Sequence, residues 1–156
     1  MIKVLFVCLG NICRSTMAEG VFKHKVREMG LEHAIQSDSA GTGHWHIGEP
    51  PHPKTMQMLA QKGITDYSHR ARLLLPQDIE HFDYILTMDE SNYEDVMAFY
   101  PNGEGKVRRF LEFAPEMEAL EVPDPYYNGR YEEVYHLVFA ASGGLLNAIR
   151  EKHVLP

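Results

Sequence analysis

Ile2-Lys3-Val4-Leu5-Phe6-Val7-Cys8-Leu9-Gly10-Asn11-Ile12-Cys13-Arg14-Ser15-Thr16-Met17-Ala18 is the stretch on which the fold turns. Residues 2–7 form a nearly continuous apolar and β-branched run, which suits a strand buried on both faces. After Arg14-Ser15, the apolar residues Met17/Ala18, Val21/Phe22, Val26 and Met29 recur at helical spacing. Thr16 and Glu19 stand in capping-box relation and Gly30 is a stop. The pattern is strand, short loop, helix, and it repeats outward. A strand is expected at 34–40, a Gly- and Pro-rich loop around Trp45, and a helix at about 54–62 ending at Gly63. A strand at 82–88, a helix at 91–100 stopped by Pro101, a strand at 106–110 and a long helix at 130–150 complete the series. In that last helix Val134, Leu137, Val138, Ala141, Leu145 and Ala148 make one apolar stripe. The alternation predicts an α/β fold, a single domain over 1–156 with a four-stranded parallel sheet and helices on both faces. Ligands of such sheets bind at the carboxyl ends of the strands, and the first loop there runs from Cys8 to Arg14.

Composition narrows what that loop is for. The chain has 156 residues, about one ordinary domain, and 44% of them are hydrophobic, enough for a real core. The apolar start at residues 1–7 is too short for a signal peptide, and no later segment offers the ~20 consecutive apolar residues of a membrane span. A cytoplasmic protein without membrane association is expected. The formal charge of −7 disfavours nucleic acid as a partner, because backbone affinity comes from clustered Lys and Arg. Any phosphate must be held locally. Two cysteines, Cys8 and Cys13, are too few for a disulfide framework or a structural zinc site, so any role they have is chemical.

Five residues separate Cys8 from Arg14. A curl of that length encloses an anion: successive N–H groups form a nest, and Gly10 is expected to take backbone angles that a side chain would resist. The helix N-terminus and the Arg14 fork add positive potential. Leu9, Gly10, Asn11, Ile12, Cys13 and Ser15 therefore read as a phosphate-binding loop. The same field favours the thiolate of Cys8, the form that attacks. Ser15 can hydrogen-bond that thiolate and ease its departure from a phosphocysteine. A lone cysteine at a strand end is ordinarily a small buried hydrophobe; the surrounding loop reverses that reading here.

Val7 to Ser15 matches Val-Cys-x-Gly-Asn-Ile-Cys-Arg-Ser, and the chain resembles the low-molecular-weight protein-tyrosine phosphatases over essentially its whole length. Ser39-Ala40-Gly41-Thr42 followed by Trp45, His69-Arg70-Ala71-Arg72, Met88-Asp89 and Asp124-Pro125-Tyr126-Tyr127 sit in family order. The resemblance implies phosphotyrosine hydrolysis through a phosphocysteine on Cys8, with Arg14 binding the phosphoryl group and with no metal or cofactor. It implies Asp124 as general acid, then base. Asp124 must be protonated in the first step, so an acidic optimum is expected. Asn11, Ser39 and His69 become a supporting hydrogen-bond network. Trp45, Tyr126 and Tyr127, with Leu9 and Ile12, line the substrate cleft, and Cys13 becomes a reversible disulfide partner of Cys8. The implied partners are tyrosine-phosphorylated proteins, a cognate tyrosine kinase among the candidates, and a monomer is expected.

Other readings compete. Related arginine phosphatases of this fold carry threonine where this chain has the bulkier Ile12, so tyrosine is favoured. A thiol-dependent arsenate reductase passes oxidation along further cysteines, and none follows Cys13, which leaves only a glutathione-assisted variant. A non-catalytic phosphate-binding or redox-sensing module would keep the nest but gain nothing from Asp124. His44 and His46 resemble a metal pair, but two loop ligands without a third do not make a site. His52 stands where relatives are often acidic, and so alters the charge of the rim.

Overall fold

The computed structural model describes all of residues 1–156. The apolar run becomes β1 (Ile2–Cys8), buried from Val4 onward. It pairs in parallel with β2 (Ile35–Gly41) on one side and β3 (Tyr84–Thr87) on the other. β4 (Val107–Arg109) closes a four-stranded, all-parallel sheet of order β2-β1-β3-β4. The helices in chain order are α1 (Arg14–Glu28), α2 (Pro53–Gln61), α3 (Pro76–His81), α4 (Glu90–Phe99), the short α5 (Pro125–Asn128) and α6 (Tyr131–Lys152).

Alternate side chains of β1 enter two cores, as the period of a strand requires. Val4, Phe6 and Cys8 face α1, α2 and α6, packing with Phe22, Leu59 and Val138, and Phe6 sets its ring edge-on to Phe22 and Phe110 at 5.5 and 5.2 Å. Leu5 and Val7 face α3 and α4 through Ile79 and Val96. The continuous apolar run is thus explained by burial on both faces, and the expected α/β architecture is the one found. No helix is long and apolar enough to cross a membrane.

Several local expectations are corrected. Thr16 and Glu19 form no capping box: α1 begins two residues before Thr16, with Cys13 as its N-cap, and the Thr16 hydroxyl donates back to the Cys13 carbonyl at 3.0 Å. The strand expected from residue 82 begins at Tyr84, because Phe82 closes α3, a helix the periodicity did not reveal. The local signals for α3 are Pro76 at its start and Asp78, whose carboxylate accepts the Leu75 N–H at 2.8 Å. The strand expected at 106–110 shortens to β4, since Phe110 opens a 3-10 turn. In α6, Ala148 is only half-buried, whereas Leu146 and Ile149 complete the stripe.

With β1 central, the chain passes first to β2 on one flank and then to β3 on the other. The carboxyl ends of β1 and β3 therefore flank the point where the direction of winding reverses, where a parallel sheet opens a crevice. Cys8 ends β1 there, and Asp89 follows β3.

Candidate active site

Leu9 to Cys13 curls between β1 and the N-terminus of α1, and Asn11 makes the curl close. Its φ of +58° is left-handed, a conformation that asparagine tolerates better than most residues. The strained angle is at Asn11 and not, as the sequence suggested, at Gly10, which is not among the glycines of positive φ. Gly10 contributes space instead: a Cβ there would lie 3.0 Å from the His46 ring. Gly41 serves the loop in the same way, since its Cβ would meet the Leu9 carbonyl oxygen at 2.7 Å. Backbone bonds from Thr42 to Cys8 and from Gly43 to Leu9, both 2.9 Å, tie the loop to the end of β2.

Cys8 Sγ receives the Asn11 N–H at 3.3 Å and lies 3.0 Å from Ser15 Oγ. The hydrogens of this contact follow from its neighbours. Asn11 Oδ1 accepts the Arg72 backbone N–H at 3.0 Å, so its Nδ2 is the group that donates to Ser15 Oγ at 2.8 Å. The Ser15 hydroxyl is thereby free to donate to Cys8. His69 Nε2, 2.8 Å from Asn11 Oδ1, must carry a proton, and Ser39 Oγ lies 3.2 Å from the same nitrogen. The structure thus brings Asn11, Ser15, Ser39 and His69 together around the thiol.

Arg14 is 3% exposed, and its Nη1 donates to Asp89 Oδ2 at 2.5 Å and to the Val122 carbonyl at 3.0 Å. Burial opposes its charge, but Cys8 and Asp89 outweigh that and raise its pKa above the ordinary value. Asp89 also accepts the Asn92 N–H at 2.7 Å, so one carboxylate caps α4 and aims the guanidinium. This residue has no role in the sequence reading beyond its place in a motif; an acidic residue between a strand and a helix is the signal that could have found it. Asp124 caps α5 through a 3.1 Å bond from the Tyr126 N–H, with Oδ2 3.6 Å from Arg14 Nη2.

Cys8, Arg14 and Asp124 line a cleft of about 330 Å³ together with Leu9, Gly10, Ile12, Cys13, Trp45, His46, Tyr126 and Tyr127. Trp45, Tyr126 and Tyr127 are exposed, and the Trp45 ring occupies the space where a Gly43 side chain would stand. A charged floor under aromatic walls fits a flat ring bearing an anion. His46 was not expected on this wall; its Nδ1 lies 2.6 Å from Glu49 Oε2, while His44 stacks on Trp45, so the two histidines have separate partners. Cys13 Sγ lies 3.5 Å from Tyr131 Oη, and burial pushes its pKa up to about 11.

Glu19, Asp38 and His69 come near enough to one another to hold a metal ion. Their donors are already engaged: Glu19 Oε1 accepts from Ser39 and Tyr67, Asp38 Oδ1 accepts the Ser39 N–H, and Lys23 and Arg72 take the remaining carboxylate oxygens. The cluster reads as a hydrogen-bond hub rather than a metal site.

Comparison with known proteins agrees with this geometry. The family model described as low molecular weight phosphotyrosine protein phosphatase matches residues 3–155. The chain is 44% identical to the low molecular weight protein-tyrosine-phosphatase YfkJ of Bacillus subtilis, covering 99% of this chain and 100% of that one. The crystal structure of YfkJ superposes with a TM-score of 0.93 at 43% identity, covering 97% and 96% of the two chains. That of DARP, a drosophila arginine phosphatase, gives 0.87 at 30% identity, covering 96% and 98%.

Proposed function

The chain belongs to the low molecular weight phosphotyrosine protein phosphatase family, and from that premise we propose that it hydrolyses phosphotyrosine in proteins through a phosphocysteine on Cys8. The observation that carries the reading is the convergence on one cleft of a buried thiol, an Arg held behind it and a carboxylate across from it.

In this reading the Cys8 thiolate attacks phosphorus while the loop N–H groups and Arg14 hold the three non-bridging oxygens. Asp124 gives its proton to the departing tyrosyl oxygen. The S–P bond forms as the P–O bond breaks, and the phenol leaves neutral. Asp124, now a carboxylate, takes a proton from water as that water attacks the phosphocysteine, and Ser15 stabilises the thiolate that departs. Arg14 and Asp124 stand close before substrate arrives; a phosphoryl group entering between them takes the guanidinium and leaves the carboxyl beside the leaving oxygen. Ile12, buried at the cleft floor, favours the phenyl ring over the guanidino group that DARP's description indicates. Two free thiols suit a reducing compartment, and the cytoplasm is the expected one.

Hydrolysis of an aryl phosphate in the presence of a chelator, compared between the unaltered protein and Cys8→Ser, tests this directly. Turnover that the substitution abolishes is the expected result. Phosphate binding without turnover by the reduced, unaltered protein would replace the enzyme with a binding module.

A further inference from the structure

We propose that Tyr67, acting through Glu19, is a positioning residue for the nucleophile: it holds the Glu19 carboxylate where that carboxylate governs His69, and through His69 the Asn11–Ser15–Cys8 hydrogen bonds. The proposal rests on Cys8 being the nucleophile and adds residues that no motif contains.

Glu19 projects from α1 and is 2% exposed. A buried carboxylate is tolerated only when its oxygens are satisfied. Tyr67 Oη donates to Oε1 at 2.7 Å and Ser39 Oγ donates to the same oxygen at 2.8 Å. Lys23 Nζ lies 3.1 Å from Oε2. His69 Nδ1 sits 3.7 Å from Oε1, beyond hydrogen-bond reach, and 3.7 Å from Asp38 Oδ1. Its other nitrogen carries the proton donated to Asn11 Oδ1 at 2.8 Å. Glu19 therefore spends its capacity on two hydroxyls and a lysine, and His69 keeps its bond to Asn11.

The groups facing His69 are Glu19 and Lys23 from α1, Asp38 from β2, and Arg72 from its own segment. Burial lowers its pKa against the pull of Glu19 and Asp38, with Arg72 and Lys23 adding to the lowering. Without the Tyr67 hydroxyl, Oε1 has an unspent lone pair whose nearest new donor is a proton on His69 Nδ1. The ring then leans toward Glu19, its bond to Asn11 lengthens, Asn11 loosens its hold on Ser15, and the departing Cys8 thiolate loses its donor. Substrate binding is little affected, because Tyr67, Glu19 and His69 do not line the cleft and the backbone N–H groups that would hold the phosphoryl oxygens are not among the bonds altered.

Tyr67→Phe keeps the buried ring and removes only the hydroxyl. The expected results are that the His69 imidazole resonance, followed by NMR and identified by its loss in His69→Asn, titrates at higher pH than in the unaltered protein. The kcat for an aryl phosphate falls on the order of threefold to tenfold while KM is unchanged, the scale of one ordinary hydrogen bond. Lys23→Gln, at a half-exposed position where the amide can still donate to Glu19 Oε2, moves the titration the same way, and Glu19→Gln moves it to lower pH. A purely structural role produces no such opposed displacements. Coincident His69 titrations in all four proteins, or displacement of Tyr67→Phe and Glu19→Gln in the same direction, would overturn the proposal. If the unaltered protein does not turn over, the phosphocysteine reading fails while the titrations still report on Tyr67.

Discussion

At the scale of the residue, the site is a set of side chains each held by a second. In the proposed mechanism Asp124 is the most consequential of them, because expelling an unactivated tyrosyl oxygen needs a proton. Asp124→Ala is expected to lower kcat about 10²–10⁴-fold on phosphotyrosine and far less on an aryl phosphate whose leaving group needs no protonation; equal losses on both would remove Asp124 from that role. Asp89 acts through Arg14. Asp89→Ala removes the partner of a buried guanidinium and the cap of α4, and is expected to destabilise the fold by on the order of 3 kcal/mol in chemical denaturation while raising KM for an aryl phosphate. That Cys8, Arg14 and Ser15 meet in one loop was legible in the sequence because the loop is contiguous. Asp89 and Glu19 were not, since what they do depends on partners 75 and 48 positions away, Arg14 and Tyr67.

At the scale of the element, strand, loop and helix were readable wherever burial imposes a long enough period. The double-faced burial of β1 and the stripe of α6 both exceed any local preference. The six residues of α3 are too few for a period to emerge, and the apparent capping box at Thr16 failed because the phosphate loop itself delivers the first turn of α1. Glu19, which looked like a cap, points inward to Ser39 and Tyr67 instead. The same loop makes a sharp demand on β2. Gly41→Ala places a methyl group 2.7 Å from the Leu9 carbonyl oxygen and 3.2 Å from Asn11 Cβ, and the backbone must shift. Displacement of a catalytic loop by a fraction of an ångström to an ångström is expected to lower kcat/KM on an aryl phosphate up to about 10²-fold. An unimpaired Gly41→Ala enzyme would mean that the loop is not pinned by β2.

At the scale of the whole molecule, the buried groups of the site confine stability to a pH window. Burial lowers the pKa of His69 below the ordinary 6.5, so on acidification the unfolded chain takes up a proton that the folded one resists, and stability falls as pH drops below about that value. Burial raises Cys13 from 9.0 to about 11, so above about 9 the unfolded chain releases a proton that the folded one keeps, and stability falls as pH rises. Burial acts on the hydroxyls of Tyr67 and Tyr131 in the same sense. Urea midpoints are expected to be flat between these limits, and Cys13→Ala to lessen the alkaline slope; an unchanged slope would mean that the thiol is not held protonated by the fold. An acidic activity optimum would then lie at the edge of this window, where turnover and stability oppose one another. The central claim is covalent, and the most direct measurement is mass analysis of the Cys8 peptide after rapid acid quench of the enzyme with an activated aryl phosphate. One phosphoryl group on Cys8 within the first turnover, absent in Cys8→Ser, is the predicted result. Full turnover with no phosphoryl group on Cys8 at any quench time, or turnover retained by Cys8→Ser, would contradict it.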